Sequence, residues 1–63
     1  SHGELAEETF AIGAPIRDHN GNIAGSLSIV GPDSRLNENT IDLYISVVLE
    51  ATKGISQALG YKI

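Results

Sequence analysis

Ser26 and Ser28 stand two residues apart in the apolar run Ile23 to Val30. In an extended chain that spacing puts both hydroxyls on one face, where each can donate and accept hydrogen bonds. Hydrolytic chemistry would need more. Neither serine sits in a G-x-S-x-G elbow. The only bases of suitable type are His2, which is terminal, and His19, which lies among turn formers. Asp18 and Asp33 are turn residues first. Glu7-Glu8 reads as a solvated acidic pair, and Gly31-Pro32 as a strand terminator rather than a phosphate loop. With no cysteine in the chain there is no disulfide and no thiolate metal site. The expectation is therefore not an enzyme, with no catalytic residue, no metal site and no cofactor. What remains is binding.

The elements that position the serines are set by Ala11 to Pro32, which reads as one antiparallel β-hairpin. Two apolar runs flank Asp18-His19-Asn20-Gly21-Asn22, and Asn-Gly between apolar segments is a strong hairpin signal. If Asn20-Gly21 is a two-residue type I′ loop, His19 faces Asn22, Ile16 faces Gly25, Ala14 faces Leu27 and Ile12 faces Ile29. Phe10, Ile12, Ala14 and Ile16 then share a core face with Leu27 and Ile29. The opposite face carries Ala11, Gly13, Pro15, Ser26, Ser28 and Val30. A rival turn, type I over Asp18 to Gly21 with a glycine bulge, would shift the pairing by one residue and move Ser26 and Ser28 beside Ile12. The apolar alternation favours the first register. On that register Ala11, Gly13 and Ser26 leave volume into which Ser28 aims a donor, which suits a small polar ligand such as a carboxylate. The plainer alternative is an exposed face of small and polar residues.

The strands are Thr9 to Arg17 and Ile23 to Val30, preceded by an acidic lead-in from Gly3 to Glu8. Pro15 needs a place where a missing N–H faces away from the partner strand. Gly31 to Ser34 is a turn. A helix follows over about 38–59, with Asn37 as N-cap, Leu36 and Ile41 as a hydrophobic staple and Gly60 as its stop. Ile41, Tyr44, Ile45, Val48, Ile55 and Leu59 form its main apolar stripe. Leu43, Val47, Ala51, Gly54 and Ala58 form a second side of smaller residues. Asn39, Asp42, Ser46, Lys53 and Ser56 form the solvent strip, with Leu49 an exception. The fold class is α+β, a hairpin (about 9–31) followed by one long helix.

Sixty-three residues bound this to one domain at most. Domains of that size bury only about 60% of their unfolded surface. With three aromatics and no cysteine, a fragment of a larger domain or an obligate oligomer is expected. The net charge of −4 and four scattered basic residues argue against a nucleic-acid surface. No apolar run reaches membrane-spanning length, so the expectation is a soluble, cytoplasmic protein without membrane contact.

One longer pattern remains. Ile12 to Ile16, Asp18, Gly21, Ile23 to Ile29, Gly31-Pro32, Ser34-Arg35-Leu36 and, after the helix, Leu59-Gly60-Tyr61 together resemble the C-terminal end of the effector-binding domain of IclR-type transcription regulators. Glu4 matches an acidic position before the first strand. The resemblance covers nearly all of residues 1–63. It implies a fragment of a GAF-like α/β sensor domain that binds a small effector, often an organic acid, and controls a DNA-binding domain elsewhere in the polypeptide. It also implies effector contacts at Ala11, Ser28 and Val30, beside Gly13 and Ser26. Ser28 keeps the family's hydroxyl. Ala11 stands where some members have cysteine and Val30 where some have a second serine, so the hydroxyl count is lower here. Glu8 replaces a common glycine. The expected partners are the effector and further copies of the chain. The rivals are a ligand-free oligomerisation module and a GAF- or PAS-like domain of a signalling protein.

Overall fold

The computed structural model describes residues 8–62. Two antiparallel strands, β1 (Thr9–Arg17) and β2 (Ile23–Pro32), are followed by a 3-10 turn (Asp33–Arg35) and one helix, α1 (Ile41–Ala58). The helix packs on one face of the two-stranded sheet, giving the expected α+β hairpin-and-helix architecture. The acidic lead-in from Gly3 to Glu7, including the Glu4 match, lies outside the described residues.

The hairpin combines features of both expected turns. A type I′ loop requires positive φ at Asn20 as well as Gly21. Among the described residues only Gly21 (φ +83°) and Gly60 (φ +94°) have positive φ, so the type I′ loop is not formed. The turn instead spans Asp18 to Gly21. Gly21 N–H donates to Asp18 C=O at 2.9 Å, and Asp18 N–H to Asn22 C=O at 2.9 Å. The Asp18 carboxylate accepts the N–H groups of Asn20 (2.9 Å) and Asn22 (3.0 Å), which fixes the turn locally. This is the rival turn, yet the rival register does not follow. Arg17 pairs with Ile23 and Ile16 with Gly25, leaving Ala24 without a partner. That bulge restores the offset, so Ala14 pairs with Leu27, Gly13 with Ser28, Ile12 with Ile29 and Ala11 with Val30. β2 also continues through Gly31 and Pro32, which had been expected to open the turn.

Glu8 C=O accepts Asp33 N–H at 2.8 Å, and Asp18 N–H also points toward β2. Even-numbered residues of β1 therefore direct their backbone groups at β2, and odd-numbered ones at the outer edge. Pro15 falls on the outer edge, where its missing N–H breaks no ladder bond. Arg17 N–H also points outward, and it donates to Ser56 Oγ on α1 at 2.8 Å.

The core is thin. Phe10 and Val48 are its buried apolar side chains among the described residues, with Thr52 and Ser56 also buried. Phe10 stacks on Tyr44 with ring centroids 5.5 Å apart and planes 15° from parallel. Gly31, opposite Phe10, makes room for that ring: a Cβ there would lie 3.0 Å from Phe10 Cε2. The buried line of α1 is thus Tyr44, Val48, Thr52 and Ser56, spaced by four. Ser56, expected in the solvent strip, is only 4% exposed. The expected stripe of Ile41, Ile45, Ile55 and Leu59 flanks this line and stays partly in solvent. The reason is geometric. β1 turns its edge toward the C-terminal half of α1, and only small side chains allow the backbone close enough for the Arg17–Ser56 bond.

The helix begins at Ile41 rather than Glu38, with Thr40 at the N-cap position and no side-chain cap. Asn37 is not the cap. Its Oδ1 accepts Asn39 N–H at 2.8 Å, while Thr40 Oγ1 accepts Asn37 N–H at 3.0 Å and donates to Arg35 C=O at 2.7 Å. The two side chains knot the approach instead of extending the helix. The staple positions move with the cap, so Leu36 and Ile41 no longer occupy them. Gly60 does end the helix. Its N–H donates to Gln57 C=O and Tyr61 N–H to Ser56 C=O, a Schellman motif on a left-handed glycine.

Two outcomes are expected. Ser56→Ala leaves the Arg17 N–H without its acceptor at a part-buried site, costing about 1–3 kcal/mol in chemical denaturation of the whole protein; an unchanged midpoint would show that water replaces the bond. Nine large apolar side chains are exposed among the described residues. An isolated two-stranded sheet is marginal in water, so the 63-residue chain alone should not melt cooperatively as a monomer. Analytical ultracentrifugation with thermal melts across concentration checks this, and a folded monomer at micromolar concentration contradicts it.

Candidate functional site

The register gathers the five candidate ligand residues on one face of the sheet. Ala11 and Val30 are paired across it, Gly13 and Ser28 are paired beside them, and Ser26 follows opposite Pro15. All five are exposed, Val30 at 66%. Ser26 and Ser28 lie roughly 7 Å apart along β2. The five residues carry no charge, so their polar chemistry comes from the two serine hydroxyls.

Gly13 decides how Ser28 is presented. A Cβ at Gly13 would lie 3.0 Å from Ser28 Oγ and 3.4 Å from Leu27 C=O. With glycine there, the hydroxyl has free space over the neighbouring strand. A bulkier residue would occupy that space. Cross-strand pairing thus couples the Gly13 and Ser28 positions, which the sequence places fifteen residues apart.

The described residues form a floor. None of them covers this face, because α1 packs on the other side through Tyr44, Val48, Thr52 and Ser56. A concavity lies elsewhere, at the free edge of β1 against the C-terminal half of α1. It is an open groove of about 310 Å³. It is lined by Ala14, Pro15, Leu49 and Tyr61, by the buried Thr52 and Ser56, and by Arg17 and the exposed Lys53. Thr52 Oγ1 donates to Leu49 C=O at 3.2 Å, and Arg17 Nη1 to Gly21 C=O at 2.9 Å.

The groove was not evident from the sequence. Its one readable signal was the four-residue spacing Tyr44, Val48, Thr52, Ser56, which runs the buried line on into hydroxyl residues. His19, the one base inside the hairpin, packs against the helix end: a Cβ at Gly60 would lie 3.0 Å from His19 Cβ. No catalytic partner accompanies it in the described contacts. No helix among the described residues is long and apolar enough to cross a membrane.

Comparison with known proteins agrees with the pattern of residues. Residues 1–57 match the family described as bacterial transcriptional regulator IclR C-terminal. The chain is 38% identical over 61 residues to the HTH-type transcriptional regulator KipR of Bacillus subtilis (strain 168). That alignment covers 97% of this chain and 24% of KipR, so the chain spans about a quarter of its relative's length. No solved structure matches the chain.

Proposed function

The chain belongs to the C-terminal family of IclR bacterial transcription regulators, and from that premise we propose that it is the ligand-sensing part of such a regulator. It binds a small organic-acid effector on the face formed by Ala11, Gly13, Ser26, Ser28 and Val30. Binding controls a DNA-binding domain in another part of the protein, which acts in the cytoplasm and senses rather than catalyses. The relative's name, an HTH-type regulator, supports the DNA-binding half of this proposal. The observation that carries the ligand half is the Gly13–Ser28 pair, in which the absence of a side chain on one strand frees a hydroxyl on the other.

The sensing mechanism follows from the two-sided sheet. An acid held on the hydroxyl face contacts β1 and β2 together. The same strands contact α1 on their reverse side through Phe10, Ala14 and the Arg17–Ser56 bond. A ligand that prefers one relative position of the strands therefore biases the seat of the helix, in proportion to its differential affinity for the two positions.

A second reading has its own support. Leu43, Val47 and Leu49 on α1 are 58%, 48% and 54% exposed, a surface suited to homo-oligomeric assembly without any ligand. The two readings separate when the whole protein is titrated with short mono- and dicarboxylic acids. Failure of every acid to bind, with association retained, favours assembly alone.

For the effector that binds, Ser28→Ala should weaken affinity by about 0.5–1.5 kcal/mol, more if the hydroxyl meets the carboxylate itself. Calorimetry measures this, with circular dichroism confirming the fold; full affinity would remove Ser28 from the site. Gly13→Ala offers an independent check. Its methyl group crowds Ser28 Oγ, so affinity should fall at least as far. Stability should meanwhile change by less than about 1 kcal/mol, since the gain from replacing glycine within a strand is offset by the 3.0 Å contact with Ser28 Oγ. Equal losses of affinity and stability would point to a distorted sheet instead.

A further inference from the structure

The groove between β1 and α1 lies at the free edge of β1, and the effector contacts of the proposed sensing role do not occupy it. Its lining has a definite chemistry. Ala14, Pro15 and Leu49 give it an apolar wall, while Arg17 and Lys53 hold two positive charges at the rim. No carboxylate of the described residues lines it. On a chain of net charge −4, this is a local reversal of sign. Ser56, 4% exposed on the groove floor, accepts the Arg17 N–H through Oγ.

We propose that this groove is a second ligand site, for a medium-chain monocarboxylate. The apolar wall takes an alkyl tail and the cationic rim takes the carboxylate. A volume of about 310 Å³ stands at the lower end of small-molecule sites, which run from roughly 300 to 1,000 Å³. That suits a single short chain better than a larger ligand. A compact polyanion such as phosphate would leave the apolar wall unused, and a neutral hydrocarbon would leave Arg17 and Lys53 without a counter-charge. Of the two cations, Lys53 is the freer. The Arg17 guanidinium already donates to Gly21 C=O through Nη1 at 2.9 Å, so it contributes charge from a fixed position.

This site differs from the hydroxyl face in what it selects. The hydroxyl face, whose five candidate residues carry no charge, takes a short polar acid. The groove has charge and an apolar wall, and takes an amphiphile. The two sites share β1, so occupancy of one can be felt at the other through the strand.

The test is a calorimetric titration of the whole protein with octanoate, below its micellar concentration, and with octanol as the uncharged analogue. Octanoate should bind more tightly than octanol. Lys53→Gln, an exposed change that removes the charge and keeps a flexible polar side chain, should weaken octanoate roughly two- to fivefold, the size of one exposed ion pair, without weakening octanol. Leu49→Ser should weaken both compounds. Absence of octanoate binding overturns the proposal, as it would if another part of the protein filled the groove. So does octanoate affinity indifferent to Lys53→Gln. Octanoate binding abolished by Ser28→Ala would assign the compound to the hydroxyl face and also defeat the second site. Failure of the short-acid titration leaves these outcomes unaffected, so the two sites stand or fall separately.

Discussion

Every functional feature of this chain depends on strand register. Side chains alternate with a period of two, so a slip of one residue would send Ser26 and Ser28 to the helix side and Leu27 to the open side. The hairpin reaches its register through two compensating irregularities. Gly21, in a left-handed conformation, allows the tight turn over Asp18 to Gly21 and offsets the ladder. Ala24, unpaired, offsets it back. Beyond Ile16 and Gly25 the pairing is regular, and it sets Gly13 against Ser28 and Ala11 against Val30. Turn chemistry alone would predict the wrong faces. Phe10, buried, and Ile12, Ala14, Leu27 and Ile29, half-buried, share one side, and that decides the matter, because no other register brings all of them against the helix.

Much of this was legible in the sequence. The hairpin, the helix, the glycine stop and the membership of the two sheet faces follow from apolar alternation and from glycine and asparagine placement. The turn type did not, because Asp18 can satisfy two backbone donors with its side chain, and a local hydrogen-bond balance of that kind outweighs the Asn-Gly preference. The start of the helix was misplaced for a similar reason. Asn37 and Thr40 each have a polar side chain able to cap, and the competition went to a knot that uses both. Ser56 was assigned to solvent by its polarity. Its burial reflects a tertiary demand: the outward N–H of Arg17 needed an acceptor, and no backbone group was there to supply one. The five candidate ligand residues come together as the pattern suggested, on a floor with no covering wall among the described residues.

The thin core fits a chain that spans about a quarter of its relative's length. α1 has apolar residues on three sides, and a two-stranded sheet can cover one of them. The side it covers is the line Tyr44, Val48, Thr52 and Ser56, whose small C-terminal residues let helix and strand approach closely enough for a backbone-to-hydroxyl bond. The bulkier residues, Leu43, Leu49, Ile55 and Leu59, remain outward.

Pro15 has a consequence for how the sheet can be extended. On β1 the outward backbone groups are those of Thr9, Ala11 and Gly13. Beyond them, Pro15 offers no donor, and the Arg17 donor is already committed to Ser56. A strand added to that edge finds a template only a few residues long before the hydrogen-bonding track ends. The β2 edge is as short: its outward donors are those of Ser26, Ser28 and Val30, with Ala24 in the bulge before them and Pro32, which has no N–H, after them. Growth of the sheet is therefore limited at both edges. A strand added beside β2 lies next to the hydroxyls but finds only three donors, and the two prolines guard both edges against the indefinite strand stacking that makes exposed hairpins aggregate.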